Sequence, residues 1–235
     1  MEYLGNQLAE IAKNKCGIIK PGRPVVCYPF QKDEALFVIR AQAEKQKSRL
    51  VIADVDDLTV EQTGLWGSTF RYHGLQCSIG LVGEYQVYNA ITAISAVQLL
   101  QEQGYVISDE MIQNGLKAAK WPARFEILNR CPVVIADGSH NEDGMRVFVD
   151  AVKKSLHEKN VICVFGMLKD KEYGKCLALL SDISNTIIVT EVDSPRAETA
   201  ERLALEAKKY FSNVFEKPDN TEAVLAAKNM ASADD

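Results

Sequence analysis

The chain has 235 residues, 47% of them hydrophobic, and a formal net charge of −5. It can bury one large core or two modest ones, and its mild negative balance excludes a global electrostatic footprint for nucleic acid or an anionic membrane. Its apolar runs are too short to span a bilayer, and the opening MEYLGNQLAEIAKNKC lacks the apolar core of a secretory signal.

Six cysteines (Cys16, Cys27, Cys77, Cys131, Cys163 and Cys176) form no CxxC pair, and several sit in apolar runs. That is the usage of reduced, packing thiols in a cytoplasmic protein. With only His73, His140 and His157 available, a zinc site is not expected.

Leu4, Leu8, Ile11 and Ala12 form an apolar stripe that predicts a helix over about 3–15, ending near Gly17. It shows no obvious capping residue and begins with the chain, so a longer protein whose front precedes Met1 is expected. Strands over 24–28 and 49–53 flank a helix over 33–47, a βαβ pattern. LTVEQ, STFRYH and LQCSIGL, separated by glycines, predict a small antiparallel element within 57–82. A long helix over 84–104 should bury Ala90, Ala93, Ile94, Val97 and Leu100, and a second, capped by Ser108, should cover 109–120. Pro122 in WPAR stops that helix and marks a hinge, dividing the chain into domains at 1–121 and 122–235.

From Glu126 onward the pattern is a regular α/β alternation. Strands are expected over 125–129, 132–136, 160–165, 185–190 and 212–216, and helices over 142–156, 171–182, 198–210 and 219–230. The end, MASADD, follows a helix with no closing strand, so the C-terminus is expected to be clipped as well. In PVVIADGSHNEDG an apolar strand breaks into Asp137-Gly138-Ser139-His140-Asn141 before a helix carrying Met145, Phe148, Val149, Val152 and Leu156. Loops of this kind are where open α/β sheets bind ligands. The plain alternative is a capped turn, with Ser139 or Asn141 capping the helix and Asp137 closing the loop. The loop containing Lys169, Asp170 and Lys171 should occupy the same sheet edge. No glycine-rich phosphate cradle of the GxxxxGK[ST] kind is present.

Six stretches in order, IAKNKCGIIKPGRPVV, GEYQVYNAITAISAVQLL, WPARFEIL, VVIADGSHNEDGM, VFGMLKDKEY and DSPRAETAERL, resemble the folylpolyglutamate synthase/dihydrofolate synthase family of the Mur ligase superfamily. The resemblance covers essentially the whole chain. It implies an α/β fold: the rear part of a Mur-ligase-type ATPase domain over 1–121, then a Rossmann-like glutamate-ligase domain over 122–235. It also implies that the phosphate loop lies before Met1.

The implied activity is ATP-dependent addition of L-glutamate to a folate or to dihydropteroate through an acyl phosphate, by a cytoplasmic monomer using ATP and Mg²⁺. The isolated fragment is expected to be inactive. Lys15 in NKCG matches the family lysine that is carbamylated and helps hold magnesium, a conversion that turns an ammonium into an oxygen ligand. Asn89 matches the asparagine that contacts the nucleotide, and an amide can donate and accept at an adenine edge. Arg124 in PARFE matches an arginine reaching ATP phosphates across the domain interface. Asp137 and His140 fall on the DGAHNP signature: Asp137 at the ribose or nucleotide site, His140 near the transferring phosphate or incoming amino acid. Lys169, Lys171 and Arg196 are candidates for the glutamate carboxylates. Departures are Asn14, Cys16, Ala123, Ser139 and Glu142, where the family favours Glu, Ala, Gly, Ala and Pro. Two other readings stay open: a superfamily ligase acting on a peptidoglycan precursor, and a non-catalytic nucleotide-binding fragment.

Overall fold

A computed structural model describes residues 7–156 and 159–232. Leu4, His157 and the last three residues of MASADD lie outside the described residues. The chain divides into two compact units. One comprises Met1–Thr63, Ser68–Gly80 and Glu84–Ala119; the other comprises Gly64–Gly67, Leu81–Gly83 and Lys120–Asp235. No described helix is long and apolar enough to cross a membrane.

The first unit opens with α1 (Leu8–Lys15), which tightens into a 3₁₀ turn at Cys16–Ile18. The expected absence of a cap is corrected. Gln7 N–H donates to the Glu10 carboxylate (3.4 Å), and Ala9 N–H donates to Glu34 on the following helix (3.2 Å). Carboxylates from two helices thus meet donors of the first turn, a provision that cap preferences alone do not reveal. Strand β1 (Val25–Cys27) pairs in parallel with β2 (Leu50–Ile52), and α2 (Asp33–Lys45) connects them. Strands β3 (Leu58–Gly64), β4 (Gly67–Tyr72) and β5 (Leu75–Ile79) follow as a three-stranded sheet. Ser68, Phe70 and Tyr72 of β4 are buried while Arg71 points to solvent, the period-two pattern of a half-covered sheet.

That apolar face meets α3 (Glu84–Glu102) and α4 (Asp109–Ala118) in a core of Phe70, Tyr72, Cys77, Ile79, Val87, Ile91, Ile94 and Ile112. The buried side of α3 carries Val87, Ala90, Ile91, Ile94 and Leu99, whereas Ala93 and Leu100 are exposed. The expected stripe thus holds at Ala90 and Ile94, with Val97 packed against the core, and fails at Ala93 and Leu100: apolar residues spread around this helix, so periodicity fixes its face only in part. Ser108 does cap α4, accepting from Met111 N–H at 3.2 Å.

In the second unit, β6 (Glu126–Arg130) and β7 (Val133–Ala136) form an antiparallel pair with a register shift at Leu128. Strands β8 (Ile162–Phe165), β9 (Thr186–Val189) and β10 (Asn213–Glu216) form a parallel sheet in the order β10-β9-β8. The two strand-to-helix loops thus leave different hydrogen-bonded sheets, not one shared edge. Alternation of strand and helix fixes the elements, but the partner of β7 is set by its local hairpin with β6. Helices α5 (Glu142–Ser155), α6 (Tyr173–Leu180), α7 (Ala200–Ala207) and α8 (Asn220–Met230) complete the unit. Central β9 is apolar on both faces, with Ile187, Ile188 and Val189 fully buried, as parallel strands between helices must be. Its main core adds Met145, Val149, Phe165, Leu177 and Leu203.

None of the six cysteines is in a disulfide, and all but Cys131 are buried. Burial pushes the Cys163 and Cys176 thiols from 9.0 to about 11. Below pH 9 these thiols are protonated in both folded and unfolded chains. Between about pH 9 and 11 only the unfolded chain ionises them, so stability falls as pH rises through that window. Urea midpoints at pH 8 and pH 10.5 should therefore converge in a Cys163→Ala/Cys176→Ala variant relative to the unmodified chain.

Candidate functional site

The break after β7 is built by its own side chains. Asp137 ends the strand with both carboxylate oxygens engaged: Oδ1 accepts from Ser139 N–H and Oδ2 from Phe125 N–H, each at 2.8 Å. The first contact folds the loop back on itself; the second clasps it to the segment before β6. Gly138 N–H adds a bond to the carbonyl of Ala123 at 2.8 Å. A Cβ at Gly138 would stand 3.3 Å from that same oxygen, so a larger residue would press on the Ala123 carbonyl by a few tenths of an ångström. Asn141 caps α5 by accepting from Gly144 N–H at 2.8 Å. The capping role falls to Asn141, the residue directly before α5, whose side-chain oxygen reaches the first turn.

His140 is exposed, and its Nδ1 lies 2.9 Å from the carbonyl of Gly138. A carbonyl can only accept, so Nδ1 carries a proton. In neutral imidazole this leaves Nε2 as an acceptor facing outward; in the cation it leaves a second donor. Glu142, the first residue of α5, pairs with Arg146 (2.8 Å) and with Lys175 of α6 (3.1 Å). Lys175, foremost, and then Arg146 hold its carboxyl below the ordinary range.

Arg124 is exposed between Ala123 (φ +54°) and Phe125 (φ +46°), both in the left-handed region. The Phe125 ring is buried and packs against Phe148 of α5 at 5.6 Å between centroids. Asp137, His140 and Arg124 are thereby brought onto two loops that touch through hydrogen bonds. Lys169 and Arg196 are also brought together. Lys169 N–H donates to the Arg196 carbonyl and Glu198 N–H to that of Met167, both at 2.9 Å, and Leu168 bridges Ala197. The Arg196 guanidinium lies 3.5 Å from Asp170.

Lys15 and Asn89 belong to the first unit. Lys15 is the exposed last residue of α1, where a positive charge suits the helix dipole. Asn89, exposed on α3, donates through Nδ2 to Gln86 at 3.0 Å. Among the described residues no three His, Cys, Asp or Glu side chains gather as a metal site. Sequence reasoning missed Glu126, whose carboxylate accepts from Ala123 N–H at 2.8 Å. It also missed Glu191, which accepts from Ala200 N–H at 3.0 Å at the start of α7. Neither leaves a signal in the sequence, because each acts on backbone that turns unpredictably.

Residues 123–235 match the model of the Mur ligase glutamate ligase domain. The dihydrofolate synthase/folylpolyglutamate synthase of Bacillus subtilis is 33% identical over 97% of this chain and 54% of its own length. Folylpolyglutamate synthase from Thermotoga maritima superposes with a TM-score of 0.80 at 32% identity, over 98% of this chain and 55% of that one. The Mycobacterium tuberculosis folylpolyglutamate synthase complexed with ADP and AMPPCP gives a TM-score of 0.83 at 25% identity, over 98% and 54%. The second unit is thus that of a Mur-type ligase. The chain belongs to the folylpolyglutamate synthase/dihydrofolate synthase family, and it spans about half the length of these relatives.

The role of Asp137 in holding the loop sets its expected cost. Asp137→Ala leaves the Phe125 and Ser139 N–H groups without their acceptor and should lower stability by about 1–3 kcal/mol. Asn141→Ala, which removes only the cap, should cost about 1 kcal/mol. Urea unfolding of the two variants checks both magnitudes and their order.

Proposed function

We propose that this chain supplies the rear of an ATPase domain (1–121) and a glutamate-ligase domain (122–235) to an enzyme that joins L-glutamate to a folate or to dihydropteroate at the expense of ATP. The observation that carries this reading is the pair of clasped loops presenting Arg124 and His140, in a chain whose whole length follows the family. ATP supplies the γ-phosphoryl group that turns the acceptor carboxylate into an acyl phosphate. The amine of glutamate then attacks the acyl carbon, and phosphate leaves.

In this scheme Arg124 binds the phosphate chain, and a guanidinium fork suits that task. Asn89 meets the adenine. Asp137 has used two of about four acceptor positions on backbone N–H groups, and the remaining lone pairs can take ribose hydroxyls. His140, with Nε2 outward, stands by the transferring phosphate or the incoming amine. Lys169 and Arg196, whose loops are zipped together, take the carboxylates of glutamate. Lys15, once carbamylated, offers Mg²⁺ an oxygen ligand. One such ligand fits the ion's habit of taking few protein groups and completing its shell with phosphate oxygens and water. When bound, Mg²⁺ neutralises phosphate charge. We read the enzyme as a cytoplasmic monomer.

The test is a chimera in which this chain replaces the matching half of the Bacillus subtilis relative. It should release ADP only when both glutamate and a folate or dihydropteroate are present. Lys15→Ala should lower kcat by about 100-fold or more, the loss expected of several kcal/mol of charge stabilisation. Turnover unchanged by Lys15→Ala defeats the metal role; ATP binding without any ligation defeats the ligase reading.

A further inference from the structure

The segment Ala123–Arg124–Phe125 is held in a form its residues do not favour. Ala123 and Phe125 both have φ near +50°, a region that crowds any side chain bearing a Cβ. Glycine would adopt it freely, yet neither position is glycine. The strain persists because the segment is bound at three backbone points. Ala123 N–H donates to Glu126 Oε2, the Ala123 carbonyl accepts from Gly138 N–H, and Phe125 N–H donates to Asp137 Oδ2, all at 2.8 Å. The buried Phe125 ring pins the far end.

The disposition of charge is the second observation. Arg124 has a carboxylate two residues away in Glu126 and another in Asp137, whose loop is hydrogen-bonded to its own. Either could neutralise it. Instead both carboxylates turn to backbone N–H groups, and the Arg124 guanidinium makes no hydrogen bond or ion pair with any described residue. It is exposed and uncompensated.

We propose that Glu126 and Asp137 are positioning residues: their carboxylates lock the strained Ala123–Phe125 backbone so that Arg124 stands unpaired, ready to receive an anionic phosphate chain. This rests on the reading of Arg124 as a phosphate-binding residue. It assigns Glu126 a role in ATP binding without contact to ATP, and gives Asp137 a second role besides any it has toward ribose. A guanidinium fixed in advance loses less freedom on binding and need not first break an ion pair.

The experiment uses the chimera carrying the full chain, with ATP as the probe, and two readouts. Hydrogen exchange across residues 121–127 reads the clasp directly: Glu126→Ala should speed exchange of the Ala123 amide. Steady-state kinetics read the positioning. Arg124→Ala should raise KM for ATP about 10- to 100-fold, the loss of charge-assisted hydrogen bonds. Glu126→Ala should raise it about 3- to 10-fold, as expected when one hydrogen bond that orders the segment is lost. The double variant should be no worse than Arg124→Ala alone, because Glu126 acts only through the arginine. Glu126→Gln, which keeps an acceptor oxygen, should restore ordinary behaviour.

Additive losses, or a faster amide with KM unmoved, overturn the positioning role. Unchanged exchange in Glu126→Ala overturns the clasp. If the chimera turns over and Arg124→Ala leaves KM for ATP unaltered, this proposal fails while the ligase reading stands. A chimera without turnover defeats the ligase reading, and the exchange rates still decide the clasp.

Discussion

The geometry of the second unit's candidate site depends on one carboxylate. Asp137 receives N–H groups from Ser139, two residues ahead, and from Phe125, twelve residues behind. The first contact turns the chain sharply enough for Asn141 to start α5; the second draws the segment before β6 against the turn. Remove the carboxylate and the loop loses its internal closure together with its bond to Phe125, leaving only the Gly138 N–H bond to Ala123 to tie it to the Arg124 segment. Bonds from backbone N–H to an ionised acceptor are among the stronger hydrogen bonds available. Here they offset a backbone conformation that costs free energy at both Ala123 and Phe125.

This arrangement explains why plain structural and functional readings of the DGSHN loop are not rivals. The sequence suggests either a capped turn or a nucleotide site. The structure contains every bond of the capped turn: an Asx closure by Asp137, an N-cap by Asn141, and a glycine where a Cβ would crowd the Ala123 carbonyl. Those same bonds consume the local N–H groups and leave the side chains of Arg124 and His140 outward. A turn that satisfies its own backbone can spend its side chains on a ligand.

Elements with strong local signals were legible from residues alone. Ser108 before a helical stripe, the alternation of Ser68, Phe70 and Tyr72, and the apolar run at β9 each impose structure through nearest neighbours. What stayed hidden depended on contacts distant in sequence or on nearly degenerate choices. The face of α3 was ambiguous because apolar residues surround the helix, so Ala93 and Leu100 looked as buriable as Val87 and Ile91. The partner of β7 was invisible because strand pattern does not encode pairing. The acceptor role of Glu126 could not be read because it requires Ala123 to sit at positive φ, which no preference of alanine suggests. Lys15, Asn89 and Arg124 were legible only through resemblance; their types and spacing alone fit ordinary exposed positions.

The overall charge gives the local arrangement its weight. A chain with net charge −5 does not draw polyanions by its field. At physiological salt, screening confines each exposed charge to about 8 Å. The proposed affinity for a phosphate chain or a dicarboxylic amino acid would then have to come from a few cations placed individually. The two loop systems of the second unit differ on this point. Arg196 already leans on Asp170 at 3.5 Å, a contact that a carboxylate substrate would have to displace. Arg124 has no such competitor, since the nearby carboxylates are committed to backbone N–H groups. In a negatively charged protein, the anion site proposed at Arg124 depends as much on keeping acids away from the arginine as on supplying it.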